Sequence, residues 1–192
     1  MSEHVMTKRD DKTHFGFWLY LMTDAMLFAS LFATYMILRR ATNGGVGTND
    51  IFDLDFILVG TIALLISSVT CGIANIALRY DRKKLFVGLL MATLLLGEIF
   101  IALEFYEFSG LVHEGNTWAT SAFLSAFFTL VGLHGLHVTV GLIWGAVVGL
   151  AIWRGVTGPK IKQKFALFTV FWHFVDIVWI FIFTIVYVMG VL

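Results

Sequence analysis

Long apolar runs separated by short polar segments dominate the chain. Five runs have about the 20 residues that an α-helix needs to cross a bilayer, and they cover residues 15–38, 56–78, 85–108, 122–152 and 165–190. Transmembrane β-strands would be about half as long and would alternate apolar and polar residues. The pattern therefore predicts an all-α polytopic membrane protein: a polar N-terminal tail over residues 1–14, then one five-helix transmembrane domain over residues 15–192.

Composition agrees with this prediction and excludes several functions. Of the 192 residues, 59% are hydrophobic and only 14% are charged, whereas soluble domains carry about 25% charged residues. The net charge is zero and no basic patch lies outside short loops, so we expect no nucleic-acid partner. The single Cys71 cannot form an internal disulfide, and no cysteine motif for haem attachment or zinc is present. The tail lacks the apolar core of a signal peptide.

The distribution of basic residues predicts the orientation. Eleven of the thirteen Lys and Arg residues fall in the tail and in the loops after the second and fourth spans, and only Arg39 and Arg40 fall on the other side. Basic residues concentrate on the cytoplasmic side, so the N-terminus is predicted to be cytoplasmic and the C-terminus periplasmic. The glycine-rich outer stretch NGGVG lacks the Lys-Ser/Thr pair of a phosphate-binding loop and predicts a turn.

Ionisable residues inside the spans are the candidates for function, because such groups are costly in lipid and usually face the protein interior. They are Asp24, Glu98, Glu104, Glu107, His134, His137, His173 and Asp176. A rise of about 1.5 Å per residue places Asp24, His173 and Asp176 in one layer, provided that the first and fifth helices are neighbours. Glu98 is predicted near the middle of the membrane, and Glu104 and Glu107 near the outer headgroups, where a carboxylate is cheap to expose.

Each of these groups has a structural and a chemical interpretation. Asp24 and Glu98 are buried carboxyl groups suited to a proton-related role, or they are neutral and hydrogen-bonded, with Thr23 or Ser30 as partners for Asp24. His173 and Asp176 lie three residues apart on one helix face, which suits a hydrogen bond that fixes the helix or a proton-conducting pair.

His134 and His137 have a spacing that permits metal binding, but they lie about 10 Å further out than His173. We therefore expect them to be neutral, hydrogen-bonded histidines that pack helices together, and to bind no metal. Glycines at 132, 135, 141, 145 and 149 flank these histidines and permit close helix approach.

Four stretches of the sequence resemble subunit III of the haem–copper terminal oxidases. They are FGFWLYLMTDAMLF, LEFYEF, FLSAFFTLVGLHGLHVTVGLIW and WHFVDIVWIFIFTIVYVMG. The resemblance covers essentially the whole chain from Phe15, and the HGLH and WHFxD motifs are highly specific. The five-helix length resembles the bacterial quinol oxidase branch, in particular the cytochrome o ubiquinol oxidases. The cytochrome c oxidase branch often has seven helices.

The resemblance implies an accessory role in a proton-pumping complex that oxidises ubiquinol and reduces oxygen to water in aerobic respiration. The haems and copper belong to subunit I in this family, so this chain is expected to bind no cofactor or metal and to have no catalytic residue. The expected partners are subunits I and II, a small subunit IV and phospholipids, in the bacterial inner membrane. The subunit would support assembly, lipid binding and sustained proton uptake.

The resemblance also assigns individual residues. Asp24 matches a membrane-buried acidic position of the family that is commonly Glu, and the shorter side chain has less reach. The matching positions expected to be structural or lipid-contacting are His134, His137, His173, Asp176, Glu104 and Glu107. Glu98 matches no family role.

Three alternatives stay open at this point. The chain is also similar to the subunit III of aa-type menaquinol oxidases. An autonomous proton transporter built around Asp24, Glu98 and the His173–Asp176 pair is disfavoured by the odd number of spans and the lack of an inverted repeat. A membrane haem or di-metal oxidoreductase is disfavoured because the histidines lie at unmatched depths.

Overall fold

Five long helices follow one another along the chain. The first four contain the first four predicted spans, and the fifth helix together with its continuation covers the fifth span. The structure is a computed structural model that describes residues 2–45, 47, 54–156 and 158–191, with the backbone alone at residues 2–11, 54 and 191. The helices are α1 Ser2–Leu38, α2 Leu54–Arg79, α3 Lys83–His113, α4 Ala122–Trp153 and α5 Pro159–Ile182. A π-helical segment, Phe183–Val188, and a short α6, Met189–Val191, continue α5.

The predicted all-α class with five membrane-spanning helices is confirmed. All five long helices are long and apolar enough to cross a membrane, and the residues that the structure describes contain no strand. Helix α1 begins at Ser2, well before the first apolar run. No Pro or Gly occurs between Ser2 and His14, so nothing in this polar segment terminates the helix.

The glycine-rich loop after α1 is a turn in its described part, as predicted. Asn43 and Gly44 have φ values of 53° and 76°, in the left-handed region that Asn and Gly tolerate. The Gly45 N–H donates to the Thr42 carbonyl at 2.9 Å. Residues 46 and 48–53 lie outside the described residues.

Four of the helices form a closed ring, and the first helix packs on its outside. Helix α2 packs against α3, α3 against α4, α4 against α5, and α5 returns to α2, while α1 packs on α4 and α5. The four ring helices alternate in direction, as consecutive membrane spans must. The first and fifth helices are therefore neighbours, which is the condition on which the predicted layer of Asp24, His173 and Asp176 depended.

Trp172 of α5 lies at the centre of this ring, in a slot made by two glycines. A Cβ at Gly97 of α3 would lie 2.9 Å from Cη2 of the indole, and a Cβ at Gly141 of α4 would lie 2.9 Å from Cζ3. The indole N–H donates to Ser67 Oγ of α2 at 3.1 Å. One side chain from α5 thus contacts the other three helices of the ring.

The glycines of α4 serve the close packing that the sequence predicted. A Cβ at Gly145 would lie 2.7 Å from Cζ of Phe168, and a Cβ at Gly149 would overlap Leu90 of α3. In lipid there is no hydrophobic force between helices, so close contact of backbone and rings supplies much of the stabilisation.

An ion pair ties the loop after α2 to the start of α5. Lys162 Nζ donates to Asp81 Oδ1 at 2.7 Å. The hydrogen bond from Lys162, together with its charge, lowers the pKa of Asp81 below its ordinary value. A lowered folded-state pKa stabilises the fold above the unfolded pKa and loses this effect as pH falls through the folded one. Asp81 is fully exposed, so salt screens this contribution.

Candidate functional site: the intramembrane polar residues

Asp24 of α1 faces His137 of α4. Asp24 Oδ2 lies 3.6 Å from His137 Nε2, and the two side chains are only 12% and 14% exposed. Tyr20, one turn earlier on α1, interacts with the same carboxyl group. The partners that the sequence suggested are engaged elsewhere: the Thr23 and Ser30 hydroxyls donate to the carbonyls of Tyr20 and Leu27.

The tautomer of His137 limits what this pair can do. His137 Nδ1 lies 2.8 Å from the Leu133 carbonyl, and because a carbonyl only accepts, Nδ1 carries the hydrogen. In the neutral ring Nε2 then has no hydrogen to donate to Asp24. A hydrogen bond across the 3.6 Å gap therefore needs one further proton, held either by the carboxyl group or by the imidazole. The contact therefore places two ionisable side chains against each other between α1 and α4.

A double-mutant cycle measures this pairing. We expect Asp24→Asn and His137→Gln to show a coupling free energy of about 0.6–1.7 kcal/mol, the range for interhelical hydrogen bonds in membranes. The readout is thermal unfolding in detergent, followed by a dye that fluoresces on reaction with the single, fully buried Cys71. Asp24→Asn with His173→Gln is the control cycle. Additive effects in the first cycle, or equal coupling in both, would contradict the pairing.

His134, one turn from His137, is enclosed by aromatic rings. The ring is fully buried, stacks on Trp179 at 5.1 Å and has Phe100 edge-on at 5.9 Å. Neither ring nitrogen has a hydrogen-bond partner among the described residues. The contacts tie α4 to α3 and α5 through ring packing rather than through the hydrogen bond that the sequence suggested.

His173 and Asp176 meet at a serine of α2 that the sequence did not single out. Ser68 Oγ lies 2.6 Å from His173 Nδ1, and the same hydroxyl interacts with Asp176. His173 also lines an open groove of about 380 Å³ between α1 and α5. His173 and Asp176 therefore fix α5 to α2. Asp24 is not part of this cluster, because it faces His137 of α4.

Further polar contacts continue along the seam between α2 and α5. Trp179 Nε1 donates to Thr61 Oγ1 at 3.0 Å, and Cys71 Sγ lies 3.9 Å from Thr169 Oγ1. With Trp172–Ser67 and His173–Ser68, the contacts run from Thr61–Trp179 at one end of the seam to Cys71–Thr169 at the other, so the chain numbers rise along α2 as they fall along α5, as expected for antiparallel helices. The seven-residue spacing of Thr61 and Ser68 in a span without charged residues is the sequence signal that could have marked this face.

Glu104 is buried and Glu107 is half-buried, which corrects the expectation that headgroup depth would expose them. Glu104 is 8% exposed and lies against α4, where a Cβ at Gly135 would be 2.6 Å from Oε2. Tyr187 of the π-helical segment donates to Glu107 Oε2 at 3.3 Å. Glu104 shares the buried face of α3 with Phe100 and Leu111, and Glu107 is contacted by Tyr187, so packing and not depth sets their environment.

Glu98 has the opposite placement and is not, within this chain, the buried carboxyl group that the sequence predicted. It lies on the outer face of α3 and is exposed, because it is separated from Glu104 by roughly 1.7 helical turns. No described residue makes a hydrogen bond or ion pair with it.

The described residues do not bring together three His, Cys, Asp or Glu side chains as a metal would require. What the geometry does provide is a set of polar contacts that connect each helix of the bundle to another.

Comparison with known proteins identifies the family. Residues 2–191 match the family described as cytochrome c oxidase subunit III. The chain belongs to the subunit III family. It is 51% identical over 180 residues to cytochrome bo(3) ubiquinol oxidase subunit 3 of Pseudomonas putida, covering 94% of this chain and 87% of that protein.

Other members of the subunit III family carry different names. Quinol oxidase subunit 3 of Bacillus subtilis is 46% identical, covering 91% of this chain and 86% of the relative. Cytochrome c oxidase subunit 3 of Bacillus sp. strain PS3 is also 46% identical, covering 91% and 84%. This subunit III is thus a multi-pass membrane protein that works with the catalytic subunits of a terminal oxidase.

Proposed function

We propose that this subunit III is the accessory, non-redox subunit of a proton-pumping quinol oxidase that oxidises ubiquinol and reduces oxygen to water. The 51% identity to a ubiquinol oxidase subunit 3 carries the proposal. The partners would be haem- and copper-bearing subunit I, subunit II and a small subunit IV, with phospholipids between them. The complex would lie in the bacterial inner membrane, with the N-terminus of this chain in the cytoplasm.

The polar residues of the bundle would support this role without redox chemistry. Asp24 and His137, which face each other between α1 and α4, would take part in sustaining proton uptake by subunit I. His134, His173 and Asp176 join helices, so they would keep the bundle rigid against its partners. Haem and copper, bound in subunit I, would supply the electron transfer and oxygen chemistry.

Co-purification from native membranes tests this proposal. Tagged chain, solubilised in detergent, is expected to bring two or more larger subunits and a reduced-minus-oxidised haem spectrum. The same chain expressed without its partners is expected to show no haem. Haem held by the lone chain would overturn the proposal and make the histidines candidate ligands.

Each alternative function predicts a different experimental result. Menaquinol rather than ubiquinol oxidation by the purified complex would assign the chain to an aa-type menaquinol oxidase. An autonomous transporter would give proton flux in liposomes that contain only this chain, and Asp24→Asn would abolish that flux. We expect no such flux.

A further inference from the structure

Glu98 is a carboxyl group exposed at the middle of a membrane-spanning helix. It lies fifteen residues from Lys83 and fifteen from His113, the two ends of α3. The headgroups therefore begin about 15 Å away on either side, which is beyond the reach of a glutamate side chain. An ionisable group facing lipid at this depth is costly, so such groups normally face protein.

This chain offers no counter-charge for Glu98. All of its Lys and Arg residues lie in loops or near helix ends. The other intramembrane acids differ from Glu98 because neighbouring helices of the same chain cover them, as α4 covers Glu104. The group that satisfies Glu98 must therefore come from outside the chain.

We propose that the outer face of α3 is the docking surface for a transmembrane helix of another oxidase subunit, which places a basic side chain opposite Glu98. This inference rests on the proposed function for the identity of the complex. The face consists of Met91, Leu95, Glu98, Ala102 and Phe105, all exposed. Their alternating spacings of four and three residues match the seam along which membrane helices pack at left-handed crossings, and Ala102 leaves room beside Glu98.

A second copy of this chain does not supply the basic side chain that we place opposite Glu98. A symmetric contact through this face would place Glu98 against Glu98. The mid-membrane histidines face elsewhere: His134 is fully buried, His137 faces Asp24 and His173 is bound to Ser68. A contact between unlike faces of two copies would leave further faces open and would not close into a dimer.

Substitution of Glu98 in the native complex tests the charge pairing. We expect Glu98→Leu to lower the haem that co-purifies per tagged chain about tenfold, the change produced by 1.4 kcal/mol, and Glu98→Gln to lower it less. Glu114→Leu is the matched control, because it removes an exposed acid just beyond the end of the same helix. Thermal unfolding of the purified variants, read through Cys71, verifies that each one is folded.

A photo-crosslinking residue locates the partner directly. At position 102 we expect crosslinks to a transmembrane helix of an oxidase subunit with a basic residue at mid-membrane depth. At Ile143, on the outer face of α4 and 61% exposed, we expect fewer crosslinks to that helix.

Three results would overturn the proposal that this face docks a helix of another subunit. They are unchanged haem recovery with Glu98→Leu, crosslinks from position 102 to lipid alone, and crosslinks to a second copy of this chain. In each case haem recovery by the wild-type chain would still support the proposed function, so the two failures are distinguishable.

Discussion

Replacing Trp172 by alanine is expected to cost about 3 kcal/mol of unfolding free energy, at the lower end of the range for buried Trp→Ala changes. The indole is 1% exposed and contacts α2, α3 and α4 from α5. The lower end applies because lipid tails are as apolar as the core, so the loss is one of packing and of one hydrogen bond. Thermal unfolding in detergent, read through the reaction of Cys71, measures it.

Two further variants separate the causes of this loss. Trp172→Phe keeps much of the ring volume but removes the N–H that donates to Ser67, so a smaller loss is expected. Trp153→Ala removes an indole that is 70% exposed at the end of α4, and we expect little change. If Trp172→Ala unfolded at the same temperature as Trp153→Ala, the slot would not be what holds the four helices together.

Gly141→Ala is expected to destabilise the bundle, although alanine is the better helix former. The added Cβ would lie 2.9 Å and 3.0 Å from two atoms of the Trp172 ring and 3.2 Å from Phe171. These rings are rigid and buried, and overpacking costs about 1–3 kcal/mol, which exceeds the gain in helix propensity of about 1 kcal/mol. The same thermal assay is expected to show a net loss.

Gly132→Ala is the matched control on the same helix. Its Cβ would meet only Phe108 Cε2, at an ordinary contact distance of 3.6 Å. This change is expected to be neutral or stabilising, so the two variants should differ in sign. A gain in stability for Gly141→Ala would show that the Trp172 slot tolerates an added methyl group and would contradict the packing described above.

The ionisable residues illustrate how far a sequence can be interpreted. Their identities follow from the sequence, but their relative depths do not: rise per residue placed His137 about 10 Å further out than the layer of Asp24, yet the two side chains lie 3.6 Å apart. Their partners do not follow from it either, because a partner requires knowing which helices are neighbours. Asp24 and His173 were predicted in one layer and α1 does contact α5, yet Asp24 faces His137 of α4.

The rotation of α3 about its own axis is the clearest example of a feature that the sequence does not reveal. Glu98 points outward and Glu104 and Glu107 point inward, whereas depth alone predicted exposure for the last two. In a soluble helix the polar face marks the outside. Here lipid-facing and core-facing residues are both apolar, so the pattern along α3 does not reveal which face is buried.

The sequence by itself determined the number of helices, the all-α class and the family, because span length and family motifs are local properties of the chain. It also indicated close packing on α4 through its glycines. Only the tertiary structure decided the ring of α2 to α5, the position of α1 outside it and the role of Ser68. The physical reason is that lipid surrounds the bundle with a solvent as apolar as its own core. Which polar group meets which is then decided by helix neighbours and helix rotation.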